Sequence, residues 1–185
     1  MLQKVTRFLG ILAPLCLASS LSAAPPPETF AIRSTADLER LLAGLSRDRD
    51  AGARQEIQAL MAVLLEKGVP VRYQPNGELG PGQRFVRFGV FSTSGQLTLT
   101  DQPLRDTRTL LTTLRHEAWH AVQACATNGR PRGQLKPVGI RTTAAAQQAV
   151  IDKGYRPHDH AIEAEAFTAQ FVPYQSLEAL REYCP

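Results

Sequence analysis

The strongest constraint on this chain is one uninterrupted helix-forming run. Residues 107–128 contain no Pro or Gly. Asp106 offers an N-cap just before them, and Asn128-Gly129 is a C-cap signal just after. Leu110, Leu111, Leu114, Ala118, Val122 and Cys125 recur at helical spacing, so the helix has an apolar face on which the rest of the fold must pack. The run also carries His116-Glu117-Ala118-Trp119-His120, an H-E-x-x-H pattern. With 3.6 residues per turn, His116 and His120 sit one turn apart on the same face. Two imidazoles stacked this way can reach one zinc ion. Glu117 follows the first imidazole directly, which brings a carboxylate beside the ion's open position as a general base. Trp119 is expected to pack beneath that site, and Arg115 to be a surface charge.

The first residues read as a secretory leader, here assigned to 1–24. Lys4 and Arg7 form its charged end, residues 8–17 are apolar but too short to span a bilayer, and small residues follow. A stable membrane span after leader removal is therefore not expected. The competing reading is an uncleaved anchor. The whole chain has a net charge of +4. Loss of Lys4 and Arg7 leaves about +2, and the basic residues are scattered, which argues against a nucleic-acid partner. Without Cys16 the remaining cysteines are Cys125 and Cys184. In an oxidising compartment, secreted or periplasmic, an even pair is a disulfide candidate.

The rest of the chain divides by its turn chemistry. Pro25-Pro26-Pro27 is a stiff lead into a domain spanning 25–185. Ser34-Thr35-Ala36-Asp37 resembles a capping box for a helix carrying Leu38, Leu41, Leu42 and Leu45. A second helix is expected over about 53–67, closed by Gly68 and Pro70. Residues 69–73, 85–91 and 96–100 read as strands of a small sheet, expected to be antiparallel, with turns at Pro75-Asn76-Gly77, Gly80-Pro81-Gly82 and Ser94-Gly95. Its aromatic residues are expected in the core. Residues 129–141 read as irregular. Thr142 or Thr143 then caps a helix ended by Gly154. Pro157 opens a further helix that Pro173 stops, and Ser176 caps a last one. The expected class is α+β.

A catalytic zinc takes three protein ligands, and the third must come from elsewhere. Ala126 occupies the position six residues past His120, and Gln123 stands where a glycine would be needed, so a third histidine on this helix is excluded. The candidates lie in 158–167. Glu163 and Glu165 stand about 200° apart around a helix, so one of them faces the metal and the other is expected to face solvent. His158 and His160 are nearby and expected at the surface. Tyr155 and Arg141 can serve as oxyanion donors, but nothing selects them.

H-E-x-x-H followed by Glu163-Ala164-Glu165-Ala166 and then Phe171-Val172-Pro173 resembles the gluzincin metallopeptidases, in particular the ImmA/IrrE-like and HtpX-like peptidases. The likeness rests on those two short motifs. It implies a minimal zincin-like domain, with the sheet packed on the H-E-x-x-H helix and on a downstream glutamate helix. It also implies Zn2+ held by His116, His120 and Glu163, with Glu165 the alternative ligand. In those families an Asp or Asn four residues after the ligand supports a histidine, whereas this chain has Phe167. The function to expect is hydrolysis of peptide bonds in a peptide or protein substrate, with Glu117 as general base. The strand at 85–91 or 96–100 is expected to pair with that substrate. The competing expectations are a secreted zinc-binding protein without catalysis and a chance match on an interaction domain.

Overall fold

The structure, a computed structural model, describes residues 28–45, 50–75 and 87–185. The expected leader, Pro25-Pro26-Pro27, the turns at Asn76-Gly77 and Gly80-Pro81-Gly82, and Phe85 and Val86 lie outside the described residues. Those described form a mixed α+β fold: strands β1 (Phe30–Ile32), β2 (Val71–Tyr73), β3 (Gly89–Phe91) and β4 (Leu97–Leu99), and helices α1 (Thr35–Ala43), α2 (Ala51–Glu66), α3 (Thr107–Asn128), α4 (Ala144–Asp152), α5 (His160–Ala169) and α6 (Gln175–Tyr183). No described helix is long and apolar enough to cross a membrane.

Local chemistry sets the helix ends. Ser34 accepts the Asp37 N–H at 3.2 Å and its hydroxyl donates to the Asp37 carboxylate at 2.8 Å, which starts α1. Asp50 accepts the Ala53 N–H at 2.9 Å and starts α2. Asp106 accepts the Thr109 N–H at 2.7 Å and starts α3, which Gly129 ends in the left-handed region at φ 65°. Thr143 caps α4. The expected Ser176 cap does not form. Tyr174, at φ 60°, occupies the cap position of α6, and the buried Ser176 hydroxyl instead donates to the Arg115 carbonyl at 2.8 Å. The hydroxyl finds a better partner across the core than on its own helix.

The sheet has the order β1-β2-β4-β3. β1 pairs antiparallel with β2, and β3 antiparallel with β4, but β2 and β4 run parallel. The sheet is therefore mixed, not purely antiparallel. The chain reverses at β3 and again at the Ser92–Gln96 turn, so β4 returns in the direction of β2 and inserts between β2 and β3. The expected strand at 96–100 is thus interior and offers no edge. β1 and β3 are the two edge strands among the described residues, and β3 is the one beside α3.

One hydrophobic core draws side chains from α1, α2, the sheet, α3 and α6. α3 runs through it: Leu110, Leu114, Ala118, Ala121 and Val122 have no exposed surface, and Trp119 is buried too. Such burial on every face means that even the polar residues of α3 face protein, where each needs a partner. Arg115, expected at the surface, is buried. Its guanidinium grips the buried Glu56 of α2 by two hydrogen bonds, the Nε bond at 2.7 Å, and donates to the Gln170 carbonyl at 3.2 Å. At the far end of α3 a Cys125–Cys184 disulfide joins that helix to the chain just after α6, with Cα atoms 5.1 Å apart. This bridge is consistent with an extracellular protein.

Candidate metal centre

α3 and α5 pack against each other, and the centre forms where they meet. Among the described residues, His116, His120 and Glu163 are a group whose donor atoms all lie within 4.8 Å of one another. The Glu163 Oε2 atom is 3.3 Å from His116 Nε2 and 3.7 Å from His120 Nε2. Donors about 2.0–2.1 Å from a tetrahedral ion stand roughly 3.3 Å from one another, so these separations suit one small cation. Glu163 Oε2 is also buried without a hydrogen-bond partner. An orphaned carboxylate oxygen is costly, and a cation between it and the imidazoles would satisfy it. Two imidazole nitrogens and one carboxylate oxygen form a donor set that can hold a metal ion.

The electrostatics match. Burial by itself would raise the Glu163 pKa, but the two histidines outweigh it and hold the carboxyl well below the usual range. Burial would lower the His120 pKa, but the Glu163 and Glu117 carboxylates outweigh it and bring it to about 9. In the metal-free protein a proton on His120 thus balances the Glu163 charge. Glu117 is buried beside them, and burial pushes its pKa above the carboxylate norm despite the neighbouring histidines.

β3 reaches Glu117 from the sheet side. A Cβ at Gly89 would meet Glu117 Cγ, and the Phe91 backbone lies close enough to the Glu117 carboxyl to favour its charged form. The Ser92 N–H donates to the Gln96 carbonyl and the Thr100 N–H to the Phe88 carbonyl, so Phe88, Val90 and Ser92 turn their backbone groups toward β4. By alternation, the backbone groups of Gly89 and Phe91 point to the outer edge beside Glu117.

Glu165, the alternative ligand, turns away from the imidazoles. It is not solvent-facing as expected but buried, with its carboxylate bonded to Trp119, Gln123 and the Val138, Gly139 and Ile140 amides. Both glutamates are used because α5 is covered on two sides, by α3 and by the 137–140 backbone. The Phe167 ring packs against that of His116, centroids 4.7 Å apart and planes at 63°, at the position where the resembled families carry an Asp or Asn. Trp119 is buried, and its indole N–H points to Glu165 rather than to the imidazoles. His158 is exposed, and His160 bonds the Tyr155 carbonyl at 2.9 Å, so neither joins the group. Arg141 is exposed. Tyr155 is at the site: its hydroxyl interacts with Glu163, and burial together with the Glu163 and Glu117 charges raises its pKa, which keeps it protonated.

Gln123 and Gly89 were the residues the sequence reading passed over. Gln123 lies one turn beyond His120, and Gly89 interrupts an apolar strand, a known mark of close backbone approach. Comparison with protein-family profiles, with curated proteins and with solved structures finds no match for this chain.

Proposed function

We propose that this chain is a secreted or periplasmic zinc metallopeptidase of gluzincin type, with His116, His120 and Glu163 as the protein ligands and Glu117 as general base. The observation that carries this reading is the convergence of two imidazole nitrogens and an orphaned carboxylate oxygen, with a buried second carboxylate alongside. The donor set and its separations favour zinc among the common ions. The packing of α3 between β3 and α5 supports a minimal zincin-like domain over 25–185. The leader pattern and the disulfide support export.

Zinc held there would supply Lewis acidity, making a water nucleophilic near neutral pH and polarising the substrate carbonyl. Glu117 takes a proton from the attacking water. Its raised pKa makes it a stronger base than a free carboxylate and allows it to hold that proton until the amide nitrogen leaves with it. The water oxygen forms the new carbon–oxygen bond as the carbon–nitrogen bond breaks. Tyr155 keeps its proton and donates to the oxygen on which charge develops. An extended peptide pairs with the outer edge of β3, where the Gly89 and Phe91 backbones can align it past Glu117.

The test is metal analysis and peptide-library cleavage with wild type and Glu117→Gln. Stoichiometric zinc in both, with cleavage in wild type alone, is the expected result. Equal cleavage by the two, or wild type without zinc, overturns the reading. Zinc without cleavage in wild type leaves a metal-binding protein that is not an enzyme.

A further inference from the structure

We propose that Glu165 is a positioning residue: through Gln123 it sets the tautomer of His120, and with the same carboxylate it docks the 137–140 backbone against α3. The inference rests on the metal-site reading above.

Gln123 has a single acceptor atom and an NH2 group with two hydrogens to place. Its Nε2 donates to Glu165 Oε2 at 3.0 Å and to the Ile162 carbonyl at 2.9 Å. Both hydrogens are thereby committed to acceptors on α5. Only Oε1 remains, and it lies 2.8 Å from His120 Nδ1. Because that oxygen accepts, His120 must carry a hydrogen on Nδ1, and the Nε2 lone pair is left for the metal. A flipped amide would press its carbonyl against a carboxylate and another carbonyl while aiming NH2 at Nδ1. The Glu165 charge makes that flip unfavourable, so it acts on His120 without touching it.

The same carboxylate gathers the chain that follows α3. It accepts the Val138, Gly139 and Ile140 N–H groups at 2.8, 2.6 and 3.1 Å, and the Trp119 indole N–H at 3.4 Å. Three successive amides form an anion-binding concavity, and Gly139 at φ 101° permits the bend. All five donors to Glu165 are neutral N–H groups, so its charge is held by dipoles alone. Order in the 137–140 segment and the orientation of His120 therefore share one anchor. Partners of this kind typically change metal affinity by about 10–100-fold.

The test uses the full mature chain as wild type, Gln123→Met and Glu165→Gln. Zinc affinity is read by competition with a chromophoric chelator, and amide exchange is followed over 138–140 in the metal-free protein. The His120 Nδ1 proton is followed by 15N NMR of the zinc-loaded protein. In Gln123→Met, zinc affinity is expected to fall by about 10-fold or more, the Nδ1 proton to exchange faster for want of its acceptor, and the 138–140 amides to stay protected. In Glu165→Gln, affinity falls and those amides also lose protection. Should Glu165→Gln fail to fold, Gln123→Met decides on the Nδ1 exchange rate. Zinc binding within about twofold of wild type and an unchanged Nδ1 exchange rate in Gln123→Met overturn the proposal, as does full 138–140 protection in Glu165→Gln. A wild type that binds no zinc sinks the hydrolase reading instead, and the exchange result still judges the docking role of Glu165.

Discussion

Gly89 and Glu117 share a space that admits no further atom: a Cβ at Gly89 would lie 2.8 Å from Glu117 Cγ and 3.1 Å from its Oε1. The same Cβ would lie 3.0 Å from Thr113 Cγ2, so no side retreat is open. Gly89→Ala is therefore expected to push the Glu117 carboxylate out of line. Displacements of about 1 Å cost roughly 100-fold in rate. None of the metal donors touches Gly89, so zinc content should stay stoichiometric while turnover falls by about that factor. Steady-state kinetics beside metal analysis check this, and a variant as fast as wild type would show that Glu117 does not need this position.

Zinc binding should compete with a proton on His120. The pKa of about 9 in the metal-free protein means that the imidazole is protonated at neutral pH and must lose that proton to ligate. Calorimetry in buffers of different ionisation enthalpy should register about one proton released per zinc near pH 7, with affinity rising as pH approaches 9. Stability of the metal-free protein follows the same residue. Its folded value of about 9 lies above the ordinary imidazole value of 6.5, so the contribution is full below 6.5 and fades as pH climbs through 9. Burial of Glu117 raises its pKa and adds a dependence of the same sign. The urea midpoint of metal-free protein should be lower at about pH 9.5 than at about pH 6.5.

The Cys125–Cys184 bond closes a long loop, with a sequence separation of 59, and both cysteines are buried. It ties the end of α3 to the chain that follows α6. Removing it in Cys125→Ser/Cys184→Ser frees the unfolded chain and is expected to cost about 2–4 kcal/mol. Urea titration of the oxidised wild type against the variant measures it. Equal midpoints would mean that the bond contributes nothing beyond packing.

The sequence offered Tyr155 as an oxyanion donor alongside Arg141 without selecting either, and the structure sets Tyr155 against Glu163. Burial keeps its hydroxyl protonated across the working range, so it remains a donor. Tyr155→Phe is expected to lower turnover by about 100–1000-fold. Zinc content should be unchanged, because His116, His120 and Glu163 all remain in place. Unaltered turnover would remove Tyr155 from the mechanism.

What could be read from the sequence was whatever is encoded locally. The ends of α3 follow from Asp106 and Gly129, and the facing imidazoles from helical spacing. The order of the sheet depends on pairings between distant segments. β1 is a three-residue strand with no signal of its own, and only its partner β2 defines it. The choice between Glu163 and Glu165 was equally nonlocal. A helix buried on one face would have left one of them in water, but the 137–140 backbone folds over the second face and finds a use for both. Arg115 looked like a surface charge because its counter-ion, Glu56, belongs to another helix.

That ion pair carries the last prediction. Arg115 immediately precedes His116, and its guanidinium joins α2 through Glu56 to the end of α5 through the Gln170 carbonyl. Glu56 also accepts the Tyr174 N–H at 2.9 Å, which holds the turn into α6 with its left-handed Tyr174. The pair therefore fixes how α5, and Glu163 with it, meets α3. Both side chains are buried, at 9% and 4% exposure, so loss of one strands the charge of the other. Arg115→Met is expected to destabilise by about 3–5 kcal/mol, whereas Glu56→Leu/Arg115→Met, which removes both charges, should recover much of that loss. Urea denaturation of the two variants beside wild type makes the comparison. Since the stranded charge and not the missing contact sets the cost, a double variant no more stable than Arg115→Met would show that the pair's geometry, rather than its charge balance, holds this end of the site together.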